Sequence, residues 1–444
     1  MIKKKLNNFP LSPAKSDIFY GWFILFFGTF GVLMSGPGQT PGIATFTDHF
    51  IKASGIAKDQ LSICYLIGTV FSSLLLTYIG KLYDRLGARW VAMLAGGLMG
   101  LMVLYLSQTD RIAQQLGIML HLTSGDLMVT FIMLSIGFFL LRLSGQGALT
   151  LVSRNMIMKW FVARRGWVCG VSNAFVAVGF FLVPYFFDKL IQSLGWREAW
   201  IYVGAFSLFV FVFVSFVFFR DNPEDCELEP DGAMDMSYGN MELKLKEQKQ
   251  FTLKEVRQTP IFWIYAIPLA MYALIVSGLV FNVDSVFEKA NMLHEDAIFL
   301  FFPVAIISVI VALAGGYLSD QVRLKYILIL FLGSLAVFAL SLTFLKNQGA
   351  YILLILSYGV STGLYFLLIG ITWPRFFGIT HLGAISGLSM SLVMFFSALG
   401  PILFRNSLML FGSYAYATAL CVVICIIGFF LAIKTKNPQE DLDN

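Results

Sequence analysis

Long apolar runs recur along this chain and constrain its fold more than any other feature. Runs of about twenty apolar residues with few charges match the hydrocarbon thickness of a bilayer, and residues 198–219 are one example. Because hydrocarbon offers no water to unpaired backbone groups, a run that crosses it must be helical. Of the 444 residues, 58% are hydrophobic and 13% are charged, whereas soluble domains are about 25% charged. The chain is therefore predicted to be an all-α membrane protein.

Twelve such runs are predicted to be transmembrane helices, numbered here as spans in chain order. Their approximate bounds are 20–45, 59–79, 90–107, 127–156, 167–188, 198–219, 260–283, 297–317, 326–345, 350–372, 383–403 and 412–433. The polar segment 220–256 is predicted to be a linker, with a short surface helix at 243–250. The predicted domains are an N-terminal six-helix bundle (1–219), this linker (220–256) and a C-terminal six-helix bundle (257–444).

Basic residues are distributed unequally between the two ends of the predicted spans. An even number of spans puts both termini on one side, which then carries 22 of the 31 Lys and Arg residues, against 8 on the other side. The positive-inside rule places both termini and the linker in the cytoplasm. The first apolar run lacks a small-residue cleavage site and is interpreted as a retained helix. We expect a multi-pass protein of the cytoplasmic (inner) membrane.

The two predicted bundles are similar in sequence. A constant offset of 217 residues relates Gly166, Gly170, Ser172 and Pro184 to Gly383, Gly387, Ser389 and Pro401. The loops after spans two and eight also correspond, since each has a Gly followed four residues later by an Asp. Repeated halves packed around a midplane site are typical of secondary transporters, so the bundles are predicted to be pseudo-symmetric.

The same two loops resemble the Gly-x-x-x-Asp-Arg-x-Gly-x-Arg signature of the major facilitator superfamily. The first copy matches it at Gly80, Asp84, Arg85, Gly87 and Arg89, and the second keeps Gly316 and Asp320. The resemblance implies a twelve-helix transporter in which these loops gate the inward-closed state. Glycines in the loop allow a tight turn and close helix approach. The alternative interpretation is a plain basic loop.

Two further segments are similar to monocarboxylate porters and oxalate:formate antiporters within that superfamily. They are residues 19–22, at the start of span one, and 159–166, after span four. The similarity implies a small organic anion as substrate. Some of those relatives carry a basic residue in span eight or eleven, whereas residues 301–318 and 383–403 of this chain have none.

Arg142 is predicted to lie near the middle of span four, inside the membrane. An Arg at mid-bilayer costs about 2.5–3.5 kcal/mol on insertion scales and should face the bundle interior with a partner. At α-helical spacing Arg142, Gln146 and Thr150 share one face. A guanidinium in a low-dielectric cavity can bind a carboxylate or phosphate through two parallel hydrogen bonds. The alternative is a structural Arg that pairs with backbone carbonyls or an acidic side chain.

Span one contains two Pro and three Gly within residues 35–42. This composition predicts an interrupted helix whose backbone groups face a cavity, with Gln39 and Thr40 as candidate ligands. A simple kink near the outer end of the span is the alternative. In the matching region of span seven, Asn282 corresponds to Thr40. Asp284 is the candidate for proton coupling, because it is the carboxylate nearest to the membrane interior.

Other polar side chains recur at helical spacing along their predicted spans. They are Tyr65 and Thr69 in span two, Asn173 in span five, and Tyr358, Ser361, Thr362 and Tyr365 in span ten. Each of these alone is also compatible with simple packing. Together with Arg142 and the candidates of spans one and seven, they outline a mostly neutral, aromatic cavity with one cation. Its predicted walls are spans one, two, four, five, seven and ten.

No residue pattern indicates an enzyme, a metal site or a cofactor site. The five Cys and four His residues form no metal-ligand cluster, and neither paired carboxylates nor a Ser/His pair occurs within the predicted spans. No Walker motif is present, so transport is expected to be driven by a gradient or by exchange. The net charge of +5 is accounted for by the basic loops and does not indicate nucleic-acid binding.

These observations favour a secondary active transporter of a small organic anion, such as a monocarboxylate or dicarboxylate. The expected mechanism is alternating access with proton symport or anion exchange. The expected partners are the substrate, protons or a counter-anion, and the lipid bilayer; the resemblance implies a monomer. Two alternatives stay open. One is a proton-coupled efflux pump for amphipathic drug-like compounds, and the other is a transporter-like solute sensor.

Overall fold

The computed structural model describes residues 8–119, 126–231 and 248–439. Within these ranges twelve helices are long and apolar enough to cross a membrane, which confirms the predicted number. Spans 1–12 are Gly21–Ser54, Lys58–Leu86, Ala88–Ser107, Leu127–Trp160, Arg165–Leu194, Trp196–Phe218, Pro260–Phe281, His294–Ser319, Leu324–Thr343, Gln348–Phe377, Leu382–Phe411 and Ala415–Ile433. The protein is an all-helical multi-pass membrane protein. Of the surface helix predicted at 243–250, residues 243–247 lie outside the described residues, and residues 248–250 are not helical.

Packing divides the chain into two compact units within span 5. The first unit contains Met1–Trp160 and Gly179–Glu229, and the second contains Phe161–Val178 and Pro230–Asn444. Glycine allows the first half of span 5 to lie against span 8, because a Cβ at Gly170 would be 2.4 Å from the carbonyl oxygen of Ala312. The domains predicted from sequence, 1–219 and 257–444, are instead continuous along the chain. These boundaries stay a prediction.

Glycines also set the closest helix contacts inside the first unit. Span 2 lies against span 4 at Gly68, where a Cβ would be 2.7 Å from the backbone nitrogen of Phe139. Span 3 lies against span 6 at Gly100, where a Cβ would be 2.7 Å from the carbonyl oxygen of Gly204. Lipid tails are as apolar as leucine, so van der Waals packing at small residues is what holds such helices together.

The second unit is built from three closely packed helix pairs. These pairs are spans 7 and 11, spans 8 and 10, and spans 9 and 12. A Cβ at Gly363 of span 10 would be 2.7 Å from the carbonyl oxygen of Ser308 in span 8. Both units therefore use small residues to bring backbones together.

Gly87 makes the turn between spans 2 and 3. Its φ is +85°, in the left-handed region that favours glycine, and its N–H donates to the carbonyl oxygen of Tyr83 at 2.8 Å. The tight turn predicted at this residue is confirmed. It ends span 2 directly after Asp84 and Arg85, which occupy the last turn of that helix.

Candidate functional site

Span 1 is interrupted in its middle. Its first α-helix ends at Met34, a short 3-10 helix covers Gly36–Gly38, and a second α-helix begins at Thr40 with Pro41 in its first turn. The predicted interruption is therefore confirmed. A Cβ at Gly42 would be 2.1 Å from the carbonyl oxygen of Gly36, so this compact turn requires glycine there. The interruption also frees the carbonyl oxygen of Gly38 to accept a bond from outside the helix.

Arg142 lies at this interruption and is buried, with 1% of its surface exposed. Its Nη1 donates to the carbonyl oxygen of Gly38 and to Thr40 Oγ1, both at 3.3 Å. Its Cζ lies 4.8 Å from the centre of the Tyr65 ring, a distance at which a cation is attracted to the ring face. The hydroxyl groups of Tyr65 and Thr40 are 2.8 Å apart. Spans 1, 2 and 4 thus meet at one guanidinium.

The guanidinium of Arg142 has neither a carboxylate partner nor a full set of hydrogen bonds within the described ranges. Its Nε is buried without an acceptor, and no bond from Nη2 is present. Removing a charge from water costs several kcal/mol unless paired, and the carbonyl, hydroxyl and ring contacts supply only part of that compensation. The Nε–Nη2 edge, which can bind a carboxylate with two parallel bonds, has no acceptor among the described residues.

Span 4 changes helix type directly after Arg142. It is α-helical up to Arg142, π-helical over Leu143–Leu149 and α-helical again from Thr150. Thr150 Oγ1 accordingly lies 3.4 Å from the carbonyl oxygen of Gly145, five residues earlier. The α-helix expected over residues 143–149 is therefore wrong, because this stretch is π-helical. That Arg142, Gln146 and Thr150 share one face stays a prediction.

Close packing between spans 1 and 4 accompanies the π-helix. A Cβ at Gly38 would be 2.9 Å from Gly145 Cα and 2.8 Å from the carbonyl oxygen of Leu141. Only glycine on both sides allows the two backbones to approach this closely. Short π-helical stretches inside α-helices occur frequently at functional sites.

A second polar group lies beside Arg142 in the same unit. Gln39 Nε2 donates to Ser35 Oγ at 2.9 Å and to Thr150 Oγ1 at 3.3 Å. Gln146 Oε1 is buried and has no donor among the described residues. The candidates Gln39, Thr40, Tyr65, Arg142 and Gln146 are therefore gathered by the first unit. Sequence reasoning missed Ser35, although it belongs to the same Gly/Pro-rich interruption.

The second unit has its own aromatic and polar group. Tyr272 Oη donates to Thr362 Oγ1 at 2.9 Å, and the rings of Tyr272 and Tyr365 stack with centroids 4.2 Å apart. Tyr358 stacks on Phe338 at 4.5 Å. The hydroxyl of Thr362 and the ring of Tyr358 thus already have partners, Tyr272 of span 7 and Phe338 of span 9. Tyr272 was missed; its signal was a hydroxyl-bearing ring in the mostly apolar span 7.

The remaining predicted site residues have local partners. Asn173 Nδ2 donates to Cys169 Sγ at 3.3 Å, and Asn282 Nδ2 donates to the carbonyl oxygen of Gly278 at 2.9 Å. Asp284 lies beyond the end of span 7, with 70% of its side chain exposed, and its Oδ1 is 2.8 Å from His294 Nδ1. It belongs to a short surface helix and not to the membrane interior.

The second signature loop makes a charged contact within the second unit. Asp320 accepts hydrogen bonds from the backbone N–H groups of Gly166 and Trp167 at 2.8 and 2.9 Å, at the start of span 5. Arg375 of span 10 pairs with the same carboxylate and donates to the carbonyl oxygen of Ser319 at 2.6 Å. A carboxylate at a helix N-terminus is favoured by the helix dipole.

In the first signature loop, Arg89 has a defined structural partner. Its Nε donates to the carbonyl oxygen of Phe219 at 3.2 Å, so it ties the start of span 3 to the end of span 6. Gly80 is buried in span 2, and Asp84 is half-buried. Gly316 packs closely against span 5, since a Cβ there would be 2.6 Å from the carbonyl oxygen of Gly166.

Two curated proteins share part of the sequence. One is the uncharacterised MFS-type transporter YhjX of Escherichia coli (strain K12), which is 24% identical over 258 residues, 56% of this chain and 54% of that protein. The other is the probable sulfoacetate transporter SauU of Cupriavidus necator, which is 33% identical over 86 residues, 19% of this chain and 20% of that protein. The aligned segments thus span about half and one fifth of these relatives.

The fold and the family agree with each other. The solved structure of the proton:xylose symporter XylE bound to 6-bromo-6-deoxy-D-glucose superposes with a TM-score of 0.67 at 14% identity. That match covers 95% of this chain and 98% of the symporter. A double Trp mutant of XylE matches with a TM-score of 0.66. Residues 21–401 match the family described as Major Facilitator Superfamily, whose members are transporters and not enzymes. The chain belongs to the Major Facilitator Superfamily.

Proposed function

We propose that this protein is a secondary active transporter of a small organic anion and that Arg142 is the contact for the anion. One observation carries the proposal. The guanidinium is 1% exposed, has no carboxylate partner among the described residues, and keeps its Nε–Nη2 edge without an acceptor. A buried cation of this kind costs free energy in the empty protein. An anion that supplies the missing acceptors would recover that free energy on binding.

The geometry around Arg142 supports a planar anionic group. Nη1 is held by Gly38 and Thr40, and the guanidinium plane is supported by the Tyr65 ring. These contacts fix the orientation of the remaining edge, so that a carboxylate can bind it with two parallel hydrogen bonds. Gln39 and Gln146 provide neutral amide groups beside it, which suits a substrate with a second polar group.

The relatives support an organic anion as the substrate class. The name of one of them describes a probable sulfoacetate transporter, and sulfoacetate carries both a carboxylate and a sulfonate. The segments 19–22 and 159–166 are similar to monocarboxylate porters and oxalate:formate antiporters. A monocarboxylate or dicarboxylate is therefore the proposed substrate.

Anion exchange is the better supported coupling mode for alternating access. Asp284, the carboxylate proposed for proton coupling, is exposed and pairs with His294 outside the membrane interior. An exposed surface pair of this kind is not the buried carboxylate that proton coupling at Arg142 would need. The protein is also proposed to be a monomer in the cytoplasmic membrane. Both termini are placed inside, because 22 of its 31 basic residues are predicted to lie on that side of the spans.

Thermal stabilisation of the purified protein by a panel of compounds tests this proposal. The panel contains lactate, oxalate, succinate, sulfoacetate, inorganic phosphate, xylose and an amphipathic dye, and each is added to wild-type protein, Arg142→Ala and Arg197→Ala. Arg197 is a matched control in the same unit, since its guanidinium pairs with Asp110. One class of anions should stabilise wild type and Arg197→Ala but not Arg142→Ala. Stabilisation by the dye alone, unchanged in Arg142→Ala, would contradict the proposal and favour an efflux pump.

A further inference from the structure

A basic cavity lies at one end of the second unit, separate from the residues around Arg142. Its volume is about 220 Å³, and four segments line it: Tyr265 of span 7, Arg323 and Lys325 between spans 8 and 9, Arg375 of span 10, and Lys436 after span 12. This volume is below the range of about 300–1,000 Å³ that holds drug-sized ligands. The cavity therefore suits a small charged group.

The charges in this cavity are all of one sign. Four cationic side chains line it, and no Asp or Glu does. Arg375 is neutralised by Asp320. In the part of the chain that the structure describes, Arg323, Lys325 and Lys436 form no ion pair; the only charged contact is Lys325 Nζ over the Tyr326 ring at 5.3 Å. Three cations around one small cavity, of which Arg323 and Lys436 are exposed, create a positive potential that attracts an anion.

The mouth of the cavity adjoins an apolar surface. Span 9 begins at Leu324, span 12 ends at Ile433, and these two helices pack against each other. On the same two helices, within two residues of the cavity lining, Tyr326 is 56% exposed and Ile433 is 49% exposed. A ligand seated here would meet cations at one end and lipid-facing side chains at the other.

We propose that this cavity is a binding site for the phosphate group of an anionic phospholipid. Arg323, Lys325 and Lys436 bind the phosphate oxygens, and the acyl chains lie along spans 9 and 12. Basic pockets between transmembrane helices bind anionic head groups by the same combination of charge and apolar contact. The amide of Asn437 and the hydroxyl of Tyr265, which also line the cavity, provide neutral hydrogen-bond donors.

Native mass spectrometry of the full-length protein in detergent measures this binding. The probes are phosphatidylglycerol, phosphatidylcholine and inorganic phosphate, each titrated against wild type and against Arg323→Gln, Lys325→Gln and Lys436→Gln combined. Each Lys or Arg near an anionic lipid contributes roughly a fivefold gain in affinity, so the combined variant should bind phosphatidylglycerol about a hundredfold more weakly. Wild type should bind phosphatidylcholine much more weakly than phosphatidylglycerol.

Matched variants separate the cavity from general surface charge. Lys254→Gln, Arg257→Gln and Lys434→Gln combined remove the same charge from exposed positions of the same unit that do not line the cavity, and should leave the affinity unchanged. If the combined cavity variant does not fold, the single variants Lys436→Gln and Lys434→Gln are compared instead. They lie two residues apart, and only Lys436 lines the cavity. Equal losses in both sets would overturn the proposal. Inorganic phosphate binding as tightly as phosphatidylglycerol would overturn the lipid assignment.

The acidic residues that follow Gln439 offer a second control. Glu440, Asp441 and Asp443 lie outside the described residues, and their carboxylates have the charge to compete for the same cations. Neutralising all three to Gln and Asn should leave lipid affinity within about threefold of wild type, a difference below 1 kcal/mol. Lipid binding that is seen only in this variant would overturn the proposal, because the cavity would then be a site for the chain's own carboxylates.

Discussion

Arg142 Nη1 lies 3.3 Å from the carbonyl oxygen of Gly38, in the middle of the interrupted span 1. The contact joins a buried cation to a carbonyl oxygen that would be hydrogen-bonded within the helix if span 1 were continuous. It also determines which edge of the guanidinium remains free. Substitutions at the interruption and at residues that contact Arg142 should therefore act on anion binding, and substitutions away from both should act on stability alone.

Gly38→Ala should weaken anion binding and destabilise the protein. The new methyl group would lie 2.9 Å from Gly145 Cα and 2.8 Å from the carbonyl oxygen of Leu141, and overpacking of this kind costs about 1–3 kcal/mol. Gly36→Ala is the matched control, because its Cβ would meet only Val183 side-chain atoms, at 3.4 Å or more. Melting curves with and without the anion measure both effects. Equal responses of the two variants would contradict this account of the interruption.

Tyr65→Leu should weaken anion binding more than Tyr65→Phe does. Leucine removes the ring that supports the guanidinium at 4.8 Å, whereas phenylalanine removes only the hydroxyl that contacts Thr40. A desolvated cation–π contact contributes about 2 kcal/mol, which corresponds to at least a tenfold change in Kd. Calorimetric titration of both variants with the stabilising anion gives the two Kd values. An equally large loss in Tyr65→Phe would mean that the hydroxyl, and not the ring, orients Arg142.

Asp320→Asn should destabilise the protein by about 1.5–3 kcal/mol, the range for hydrogen bonds to charged groups. Its carboxylate accepts from Gly166 and Trp167 and pairs with Arg375, and an amide keeps neither the charge nor both acceptors. Asp284→Asn removes an exposed carboxylate and should cost less than about 0.5 kcal/mol. Thermal unfolding of the two variants in detergent compares them. A larger loss in Asp284→Asn would be incompatible with the contacts described.

The stability contributed by Asp110 should depend on pH. Burial raises the pKa of Asp110, but the hydrogen bonds and positive charge of Arg197 outweigh it, so the pKa lies below its usual 3.8. A carboxyl whose pKa is lowered by folding stabilises the protein above its unfolded pKa, and this contribution is lost as pH falls through the folded value.

Asp110→Asn should therefore lower the melting temperature at pH 7 by more than it does below pH 3.8. Melting temperatures of wild type and this variant across that interval measure the change. Glu198→Gln, at an exposed neighbour in span 6, removes a carboxylate without removing the ion pair and is the matched control. A pH-independent difference for Asp110→Asn would mean that packing, and not the ion pair, holds this contact.

The membrane architecture could be predicted from sequence because the bilayer itself imposes helices of a given length. The predicted span 198–219 corresponds to Trp196–Phe218, and the interruption of span 1 followed from its local Gly and Pro content. Both features depend on residues that are neighbours along the chain. Arg142 was recognisable for the same reason, since a charge inside a long apolar run stands out.

Features that depend on contacts between distant segments could not be predicted in this way. The π-helix at Leu143–Leu149 lies where Gly38 meets Gly145, and no local pattern in span 4 indicates that contact. Asp284 appeared to be a membrane carboxylate because the apolar run continues almost to it. Span 7 ends at Phe281, before Asn282. The side chain of Asp284, two residues after Asn282, is exposed.

Counterflow of a labelled anion in proteoliposomes tests the role of Arg142 most directly. Vesicles loaded with the anion that stabilises the purified protein are diluted into labelled anion, with wild type, Arg142→Ala and Arg197→Ala reconstituted in equal folded amounts. We expect exchange by wild type and Arg197→Ala, and none by Arg142→Ala. Exchange by Arg142→Ala at the wild-type rate would contradict it, because the buried guanidinium would then be a structural group and not the anion contact.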